Sequence, residues 1–337
     1  MNPAMWSKAL RGVVARMEPQ EWNGLDVVAR WLIATRAQVL IMTFISAAIG
    51  GLLALRAGLF DGVQWTLVTL GLILAHATNN LLNDLTDYLK GVDKDNYFRA
   101  QYGPHPLAHN LMSLREVLAY IAVTGGAALA IGLYLMFTAP DPALAWGLLG
   151  AGAFFVLFYT FPLKYLGLGE LAVIIVWGPL MIGGTYFMVA GRWDWNVVLA
   201  GMPYALGVTG VIFGKHIDKY AVDKAKGIHT LPVLLGEKTS RYTVIGMLVA
   251  QYVVVVYQVL TGFFSPALLV VFLATRTFLF VSSIYRQPKP AEPPDYFPKG
   301  IWPLWFVAFA FRHNRHFGLL FLLGLLGDLL LRTLQIF

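Results

Sequence analysis

The chain has 337 residues, of which 58% are hydrophobic and only 13% are charged. Soluble domains carry about 25% charged residues, so this composition excludes an ordinary soluble protein and favours a membrane protein in a lipid bilayer. The absence of cysteine excludes disulfide bonds, thiolate metal sites and a cysteine nucleophile. The net charge of +7 does not indicate nucleic-acid binding, because the basic residues lie between apolar segments rather than in one patch. We therefore expect no nucleic acid among the partners.

The residues from Met1 to Glu21 are polar and basic. They lack the short apolar core and the cleavage site of a signal peptide. We predict that residues 1–30 form an N-terminal surface segment on the membrane, in part as a short amphipathic helix.

Nine later segments are each close to the roughly 20 apolar residues that a membrane span requires. Backbone polar groups in lipid must bond within their own segment, so these segments are expected to be helices. We predict an all-α polytopic membrane protein, with residues 1–337 forming a single domain. The nine predicted transmembrane helices are Ala37–Leu55, Val63–Leu82, Val117–Ala139, Ala143–Phe161, Leu171–Gly191, Trp195–Gly214, Thr243–Phe264, Pro266–Tyr285 and Phe317–Leu331.

Basic residues alternate strongly between the two sides of this bundle. Arg56 and Arg192 are the basic residues of two loops on one side, whereas the loops on the other side carry most of the lysines and arginines. Cytoplasmic loops are enriched in such residues, so we place the N-terminus and the basic loops in the cytoplasm, at the cell (inner) membrane. Residues 286–316 combine a proline-rich stretch, with five prolines between positions 288 and 298, with several aromatic residues. We predict an interfacial loop there, with a disordered linker as the alternative.

The end of the second predicted span carries a polar stripe. Asn80, Asn83, Asp84 and Asp87 recur at the spacing of one helical face. Carboxylates near a membrane are costly and need a partner, and two on one turn repel each other unless a cation lies between them. Mg²⁺ prefers one or two carboxylates together with phosphate oxygens. The stripe therefore predicts an Mg²⁺ site, and Asp93 follows in the adjacent loop.

A second cluster follows the sixth predicted span on the same side of the membrane. It contains Asp218 and Asp223 among the basic residues Lys215, Lys219 and Lys224. Two acidic clusters mixed with basic side chains would suit a diphosphate that is bridged by Mg²⁺. The alternative is a pair of solvated charge clusters in loops, but the polar stripe inside an apolar helix argues against it.

These motifs resemble those of the UbiA superfamily of intramembrane prenyltransferases. Asn83-Asp84-x-x-Asp87 resembles its first aspartate-rich motif, and Asp218 to Gly236 resembles its second. The segment from Tyr159 to Glu170 is similar to the branch that prenylates dihydroxynaphthoate in menaquinone synthesis. The resemblance implies a helical bundle around a central cavity, a cytoplasmic cap and a lateral opening for the lipid tail. It also implies metal and diphosphate roles for the matching residues, which are Asn83, Asp84, Asp87, Asp93, Asp218 and Asp223.

Three departures from the family pattern bear on the site. Asp218 and Asp223 are five residues apart rather than four, which on a helix turns them about 140° from each other. His105 stands where the family often has an arginine, and Arg99 is the expected substitute. Gly214-Lys215-His216-Ile217 replaces the Asn-Asn-x-Arg typical of the naphthoate branch, which leaves the acceptor undecided.

The predicted reaction is the Mg²⁺-dependent transfer of a polyprenyl group from its diphosphate to a small, aromatic acceptor. Charge on the departing diphosphate would be stabilised electrostatically, and aromatic faces would stabilise the allylic cation. Asp218, Asp223 or the diphosphate itself would accept the proton. The predicted substrate-binding residues are Asn80, Arg99, Lys215, Tyr159 and Tyr165. The alternative function is a multispan solute or ion transporter, although transporters tend to place polar groups at the bilayer midplane.

Two further charges lie at depth within the last two predicted spans. Because such charges usually pair, we predict a contact between Arg276 and Asp328, with Arg332 as the alternative partner of Asp328. His76 is interpreted as a packing residue, and Glu170 as a residue either at the cavity mouth or at a solvated helix end.

Overall fold

The computed structural model describes residues 1–93 and 98–337. Every regular element within these two ranges is a helix, which confirms the predicted all-α class. Labels follow chain order: α1 Pro3–Arg11, α2 Pro19–Asn23, α3 Val27–Ala34, α4 Ala37–Arg56, α5 Gly62–Leu89, α6 Phe98–Gln101, α7 Leu114–Thr138, α8 Pro142–Phe158, α9 Gly169–Ala190, α10 Trp195–Asp218, α11 Tyr220–Ala225, α12 Leu231–Leu235, α13 Glu237–Leu260, α14 Pro266–Arg286 and α15 Trp305–Thr333.

Seven of these helices, among the residues described, are long and apolar enough to cross a membrane. They are α4, α7, α9, α10, α13, α14 and α15. The helix α8 is apolar but has only 17 residues, and α5 has 28 residues but carries the polar stripe near its end. A helix thus covers each predicted span, and the count of nine crossings stays a prediction.

The last helix begins earlier than its sequence predicts. α15 starts at Trp305 instead of Phe317, and its first turns bury His313 and Asn314 inside the bundle. The charged residues that suggested a loop there occupy the exposed side of the same helix. The predicted interfacial loop is therefore limited to residues 287–304, and its place at the membrane surface stays a prediction.

The helix α10 lies at the centre of the bundle and packs against α9, α13 and α15. It contains Pro203, which has no amide hydrogen to donate to the carbonyl of Leu199. Gln258 from α13 donates its side-chain amide to that carbonyl at 2.8 Å. The carbonyl that lacks its helical partner is thereby hydrogen-bonded within the protein, as a non-aqueous environment requires.

A second proline shapes α9. Pro179 lies within a wide π-helical segment, Val176–Gly183, because a proline cannot make the regular α-helical hydrogen bond. Four side chains of this segment line the large cavity described below, namely Val176, Trp177, Leu180 and Met181. The irregular turn therefore forms part of a cavity wall.

The N-terminal segment packs on one end of the bundle. Ala9, Val14 and Trp22 are buried in a cluster that includes Leu81 and Leu85 of α5. Trp6 donates its indole N–H to Asp26 at 2.9 Å, and Asp26 also caps α3. These contacts hold residues 1–30 against the end of α5 that carries the polar stripe.

The predicted contact between Arg276 and Asp328 is wrong. The buried carboxylate of Asp328 pairs with Arg56 of α4 at 3.3 Å and with Arg332 at 3.2 Å. The alternative prediction, a contact between Asp328 and Arg332, is therefore confirmed. Asp328 also accepts a hydrogen bond from the amide of Ser265 at 2.6 Å. Depth along two helices does not determine which way their side chains face, and here the partner comes from a helix distant in sequence.

Candidate active site

A large apolar cavity lies between α5, α7, α8 and α9. Its volume is about 510 Å³, and most of its wall consists of aliphatic side chains. At one end it is lined by polar groups from several elements, namely Arg36, His76, Asn79, Asn80, Asn83, Tyr159 and Lys215. A cavity of this kind suits an elongated molecule with an apolar body and a polar head.

The wall of this cavity reaches the outer surface of the bundle. Leu129 of α7 and Leu157 of α8 line the cavity, yet 51% and 59% of each residue is exposed. The helix α7 as a whole is only 11% buried along its apolar span. Only a thin layer of protein therefore lies between the cavity and the outer surface at these helices, and the lateral opening that the resemblance implies stays a prediction.

A second, smaller cavity adjoins the polar end of the first. Its volume of about 10 Å³ leaves room for about one water molecule. Asn83, Tyr159 and Lys215 line both cavities. The remaining wall of the small cavity is formed by Asp87, Phe98, Arg99, Tyr102, Lys164, His216 and Lys219. We refer to these ten residues as the polar cavity.

The polar cavity has an excess of positive charge. Four of its lining residues are lysine or arginine, and one is acidic. The acidic residue, Asp87, binds Lys164 with both carboxylate oxygens at 2.7 Å and accepts a longer hydrogen bond from Tyr165 at 3.4 Å. Burial lowers the pKa of Lys164, and the neighbouring Asp87 only partly offsets this effect. The wall is therefore suited to an anionic group.

The polar stripe of α5 is buried as its spacing predicts, but its members face different partners. Asn83 donates its amide to Thr160 at 3.0 Å, which leaves its oxygen as the potential ligand. Asn80 lines the large cavity and bonds to Thr35 and Arg36. Tyr159, at the junction of the two cavities, is the predicted aromatic residue nearest to both.

Asp84 lies behind the polar cavity in a buried ion-pair network. It pairs with Arg99 at 2.8 Å and with Arg36 at 3.3 Å. Burial alone would lower the pKa of Arg99, but the attraction of Asp84 outweighs burial, so that the pKa lies above its usual value. Arg36 adopts a left-handed backbone conformation with a φ of 57°, which is rare outside glycine and costs energy. The network thus holds two arginines beside the polar cavity.

The loop after α5 contacts the loop after α11. Lys226 donates to the carbonyl of Val92 at 2.6 Å, and Val92, Phe98 and Ile228 share a small apolar cluster. Asp93 is buried against His105 at 2.9 Å and is not among the residues that line either cavity. The two motif-bearing helix ends therefore converge, and His105 pairs with a carboxylate.

Lys219 of the second motif reaches the polar cavity, together with Lys215 and His216 directly before the motif. Asp223 is buried and pairs with Lys219 at 3.3 Å, one helical turn away. His216 forms a buried pair with Glu170 at 2.5 Å, so Glu170 lies near the polar cavity rather than at a solvated end. These lysines thus occupy the wall where the aspartates of the motif were expected.

Asp218 is directed away from both cavities. Its two carboxylate oxygens accept the amides of Phe306 and Val307, each at 3.0 Å, and Lys289 lies 3.6 Å away. It therefore caps the start of α15. The geometry argues against the predicted metal-binding and catalytic roles of Asp218, because α10 ends at this residue and its carboxylate is directed toward the start of α15.

We expect Asp218→Asn to weaken the protein fold rather than the reaction. The side-chain NH2 group of Asn cannot accept a hydrogen bond, so the amide of Phe306 or Val307 loses its buried partner. This loss should cost about 1–3 kcal/mol of stability, measured by thermal unfolding in detergent. Activity per folded molecule should remain close to that of the unchanged protein. A loss of activity without a loss of stability would restore Asp218 to the site.

Lys164 and Arg36 are site residues that the sequence did not point to. Lys164 lies between α8 and α9, and Arg36 directly precedes α4. In the sequence, each is only one basic residue among many on the same predicted side of the membrane. Lys164 is 77 positions from the Asp87 that it binds. A weak signal was present for Lys164, since it lies within the motif-like segment between Tyr159 and Glu170.

The donors at the polar cavity fit Mg²⁺ only together with a phosphate. Asn83 and Asp87 supply hard oxygen ligands there. Within residues 1–93 and 98–337, no three acidic or histidine side chains are grouped closely enough to hold a metal by themselves. Mg²⁺ commonly uses one or two carboxylates and takes its remaining ligands from phosphate and water, so the donor set is compatible with an ion that arrives with a diphosphate.

Comparison with known sequences identifies two informative relatives. The "UbiA prenyltransferase domain-containing protein 1 homolog" of Drosophila melanogaster is 26% identical over 225 residues, 66% of this chain and 62% of that protein, so the match spans less than two thirds of the relative. The 1,4-dihydroxy-2-naphthoate octaprenyltransferase of Bacillus subtilis is 24% identical over 298 residues, 87% of this chain and 90% of that protein.

Comparison with solved structures supports the fold. A UbiA homologue from Aeropyrum pernix has a TM-score of 0.63 at 20% identity and covers 86% of this chain and 98% of its own. A UbiA homologue from Archaeoglobus fulgidus bound to GPP and Mg²⁺ has a TM-score of 0.54 at 13% identity, over 86% and 99%. A model of the UbiA prenyltransferase family matches residues 43–314. The fold, the convergent motifs and this match together show that the chain belongs to the UbiA prenyltransferase family.

Proposed function

We propose that the chain transfers a polyprenyl group from its diphosphate to a small aromatic acceptor inside the membrane, with Mg²⁺ as cofactor. The observation that carries this proposal is the connection between a large apolar cavity and a polar cavity of positive charge, through Asn83, Tyr159 and Lys215. One substrate class matches both compartments, because a polyprenyl diphosphate has a long apolar tail and a compact anionic head.

The diphosphate would bind at the polar end of the large cavity, against the residues of the polar cavity, because the polar cavity alone has room for about one water molecule. Arg99, Lys164, Lys215 and Lys219 supply positive charge there, and Asn83 and Asp87 supply the oxygen ligands for Mg²⁺. When bound, Mg²⁺ would add charge stabilisation to the diphosphate as it departs. Charge-assisted hydrogen bonds from the basic side chains act on the same oxygens, and their fixed positions would favour the transition state over the bound substrate.

The prenyl cation would form at the junction of the two cavities. Tyr159 lines both of them, and an aromatic face contributes about 0.5–2 kcal/mol to a nearby cation. Tyr165 is held at the other side of Asp87 by its 3.4 Å hydrogen bond. The apolar wall excludes water, which would otherwise capture the cation. The proton released by the acceptor would go to the departing diphosphate, because Asp223 lines neither cavity and is paired with Lys219.

The acceptor is proposed to be a dihydroxynaphthoate or a similar ring. Support comes from the Bacillus subtilis relative, whose name specifies 1,4-dihydroxy-2-naphthoate, and which aligns over most of both chains. The cell (inner) membrane, a cytoplasmic N-terminus and nine crossings complete the proposal. The family match does not favour the alternative prediction of a solute or ion transporter.

The proposal is tested with purified protein in lipid nanodiscs. The protein is incubated with Mg²⁺, a radiolabelled polyprenyl diphosphate and a panel of acceptors that includes 1,4-dihydroxy-2-naphthoate, another phenolic acid and a non-aromatic alcohol. We expect labelled product from the naphthoate and the release of diphosphate. Product only from the alcohol would refute the aromatic acceptor, and no product from any acceptor would refute the transferase itself.

A further inference from the structure

The second motif and the residues directly before it present basic side chains to the polar cavity. Lys219 of the motif lines the cavity, together with Lys215 and His216 at the end of α10. The two aspartates of the motif do not line it: Asp218 caps α15 through the amides of Phe306 and Val307. Asp223, the second aspartate, is paired with Lys219 and lies behind it. The side of the cavity formed by α10 therefore offers cations to an anionic ligand, whereas the side formed by α5 offers Asn83 and Asp87.

The pair of Asp223 and Lys219 explains how this side is built. Asp223 is fully buried at the start of α11, and its carboxylate lies 3.3 Å from the ammonium group of Lys219. Residues four apart share one helical face, so the carboxylate steers the lysine toward the cavity. A buried lysine is stabilised by such a carboxylate. In this arrangement Asp223 is a positioning residue for Lys219.

We propose that Lys219, together with Lys215, neutralises the diphosphate on the α10 side of the cavity in place of a second metal ion. This inference rests on the proposed function, because it assumes that a diphosphate binds against the residues of the polar cavity. A single Mg²⁺, held on the α5 side with Asn83 and Asp87, then accompanies the substrate. The protein itself supplies the remaining positive charge.

Two consequences separate this arrangement from a site with two metal ions. First, the protein retains measurable affinity for inorganic pyrophosphate when Mg²⁺ is removed, because the lysines remain. Second, the complex with pyrophosphate contains one divalent ion per protein. Loss of one charged hydrogen-bond donor from an anion site typically weakens binding about 10- to 100-fold, so Lys219→Gln should reduce the affinity for pyrophosphate in EDTA by that factor.

The experiment uses the full chain in nanodiscs and two readouts that do not depend on turnover. Pyrophosphate binding is measured by calorimetry in EDTA, and Mn²⁺ bound in the presence of saturating pyrophosphate is counted by electron paramagnetic resonance. Lys224→Gln serves as the matched control, since Lys224 is exposed on the same short helix as Asp223. We expect one Mn²⁺ per protein, unchanged binding in the control, and weaker binding in Lys219→Gln.

A second variant tests the charge directly. In Lys219→Asp the α10 side carries a carboxylate where the lysine was, so binding in EDTA should be lost and a second Mn²⁺ should bind. If this variant does not fold, the comparison of Lys219→Gln with its control decides the matter. Two Mn²⁺ ions in the unchanged protein, or no binding in EDTA, would overturn the inference.

The failures of the two proposals can be told apart. One Mn²⁺ per protein and binding in EDTA, with no prenylated product from any acceptor, would refute the proposed function and leave the lysine inference intact. Prenylated product from a protein that binds two Mn²⁺ would support the proposed function and refute the inference about the lysines.

Discussion

Asp87→Asn is expected to abolish prenyl transfer while the protein remains in the membrane. Asp87 is the acidic residue that lines the polar cavity, and it holds Lys164 with both oxygens at 2.7 Å. The change removes a proposed Mg²⁺ ligand and frees a buried ammonium group from its partner. We expect a fall in turnover of at least about 100-fold, the scale for loss of one preorganised electrostatic group, measured with labelled polyprenyl diphosphate.

Asp87→Asn should also lower the stability of the protein, and a double variant separates this effect from the loss of activity. An unpaired buried lysine costs about 3–5 kcal/mol, so Asp87→Asn should unfold at a lower temperature. In Asp87→Asn/Lys164→Met the buried charge is absent, and stability should return although activity does not. Asp141→Asn, at the exposed cap of α8, is the control for a change of charge elsewhere. Recovery of activity in the double variant would defeat the catalytic assignment of Asp87.

Gly152→Phe is expected to exclude long prenyl chains. Gly152 lines the large cavity, and a side chain added there meets no atom within 4 Å. A phenyl group would thus enter the cavity without disturbing the packing and would displace part of the tail. Loss of burial for about four methylene groups costs about 3 kcal/mol, which corresponds to roughly 100-fold in kcat/KM. Dimethylallyl diphosphate, with its short tail, should react as before.

Gly150→Phe is the matched control, because Gly150 lies on the same helix, is exposed, and has equal space around it. Its side chain would point outward, and the preference for chain length should not change. Equal loss of activity with short and long substrates in Gly152→Phe would show that the large cavity does not hold the tail.

The sequence was sufficient for the helical class and for the convergence of the two motifs. The alternation of loop charge placed both motifs on one side, and the spacing of Asn80, Asn83, Asp84 and Asp87 correctly predicted one polar helical face. These properties are local, because they depend on hydrophobic length and on helical periodicity. Hydrophobic length and helical periodicity can be determined without knowledge of which helices are neighbours.

The sequence was insufficient wherever a partner lies far along the chain. Lys164 and Asp87 are 77 residues apart, and Arg56 and Asp328 join helices at opposite ends of the sequence. The role of Asp218 depended on whether the helix continued or broke before Asp223. The structure ends α10 at Asp218 and begins α11 at Tyr220, and this turn directs Lys219, not Asp218, toward the cavity.

The exposed position of α7 and α8 has a kinetic consequence. Leu129 and Leu157 border both the cavity and the outer surface, so with the proposed substrate and lateral opening we expect entry sideways from the surrounding lipid, without prior dissolution in water. The effective concentration of the substrate is then its mole fraction in the bilayer. Added inert phospholipid should slow the enzyme at constant bulk substrate, in the manner of surface dilution, and extra aqueous buffer should leave the rate per vesicle unchanged.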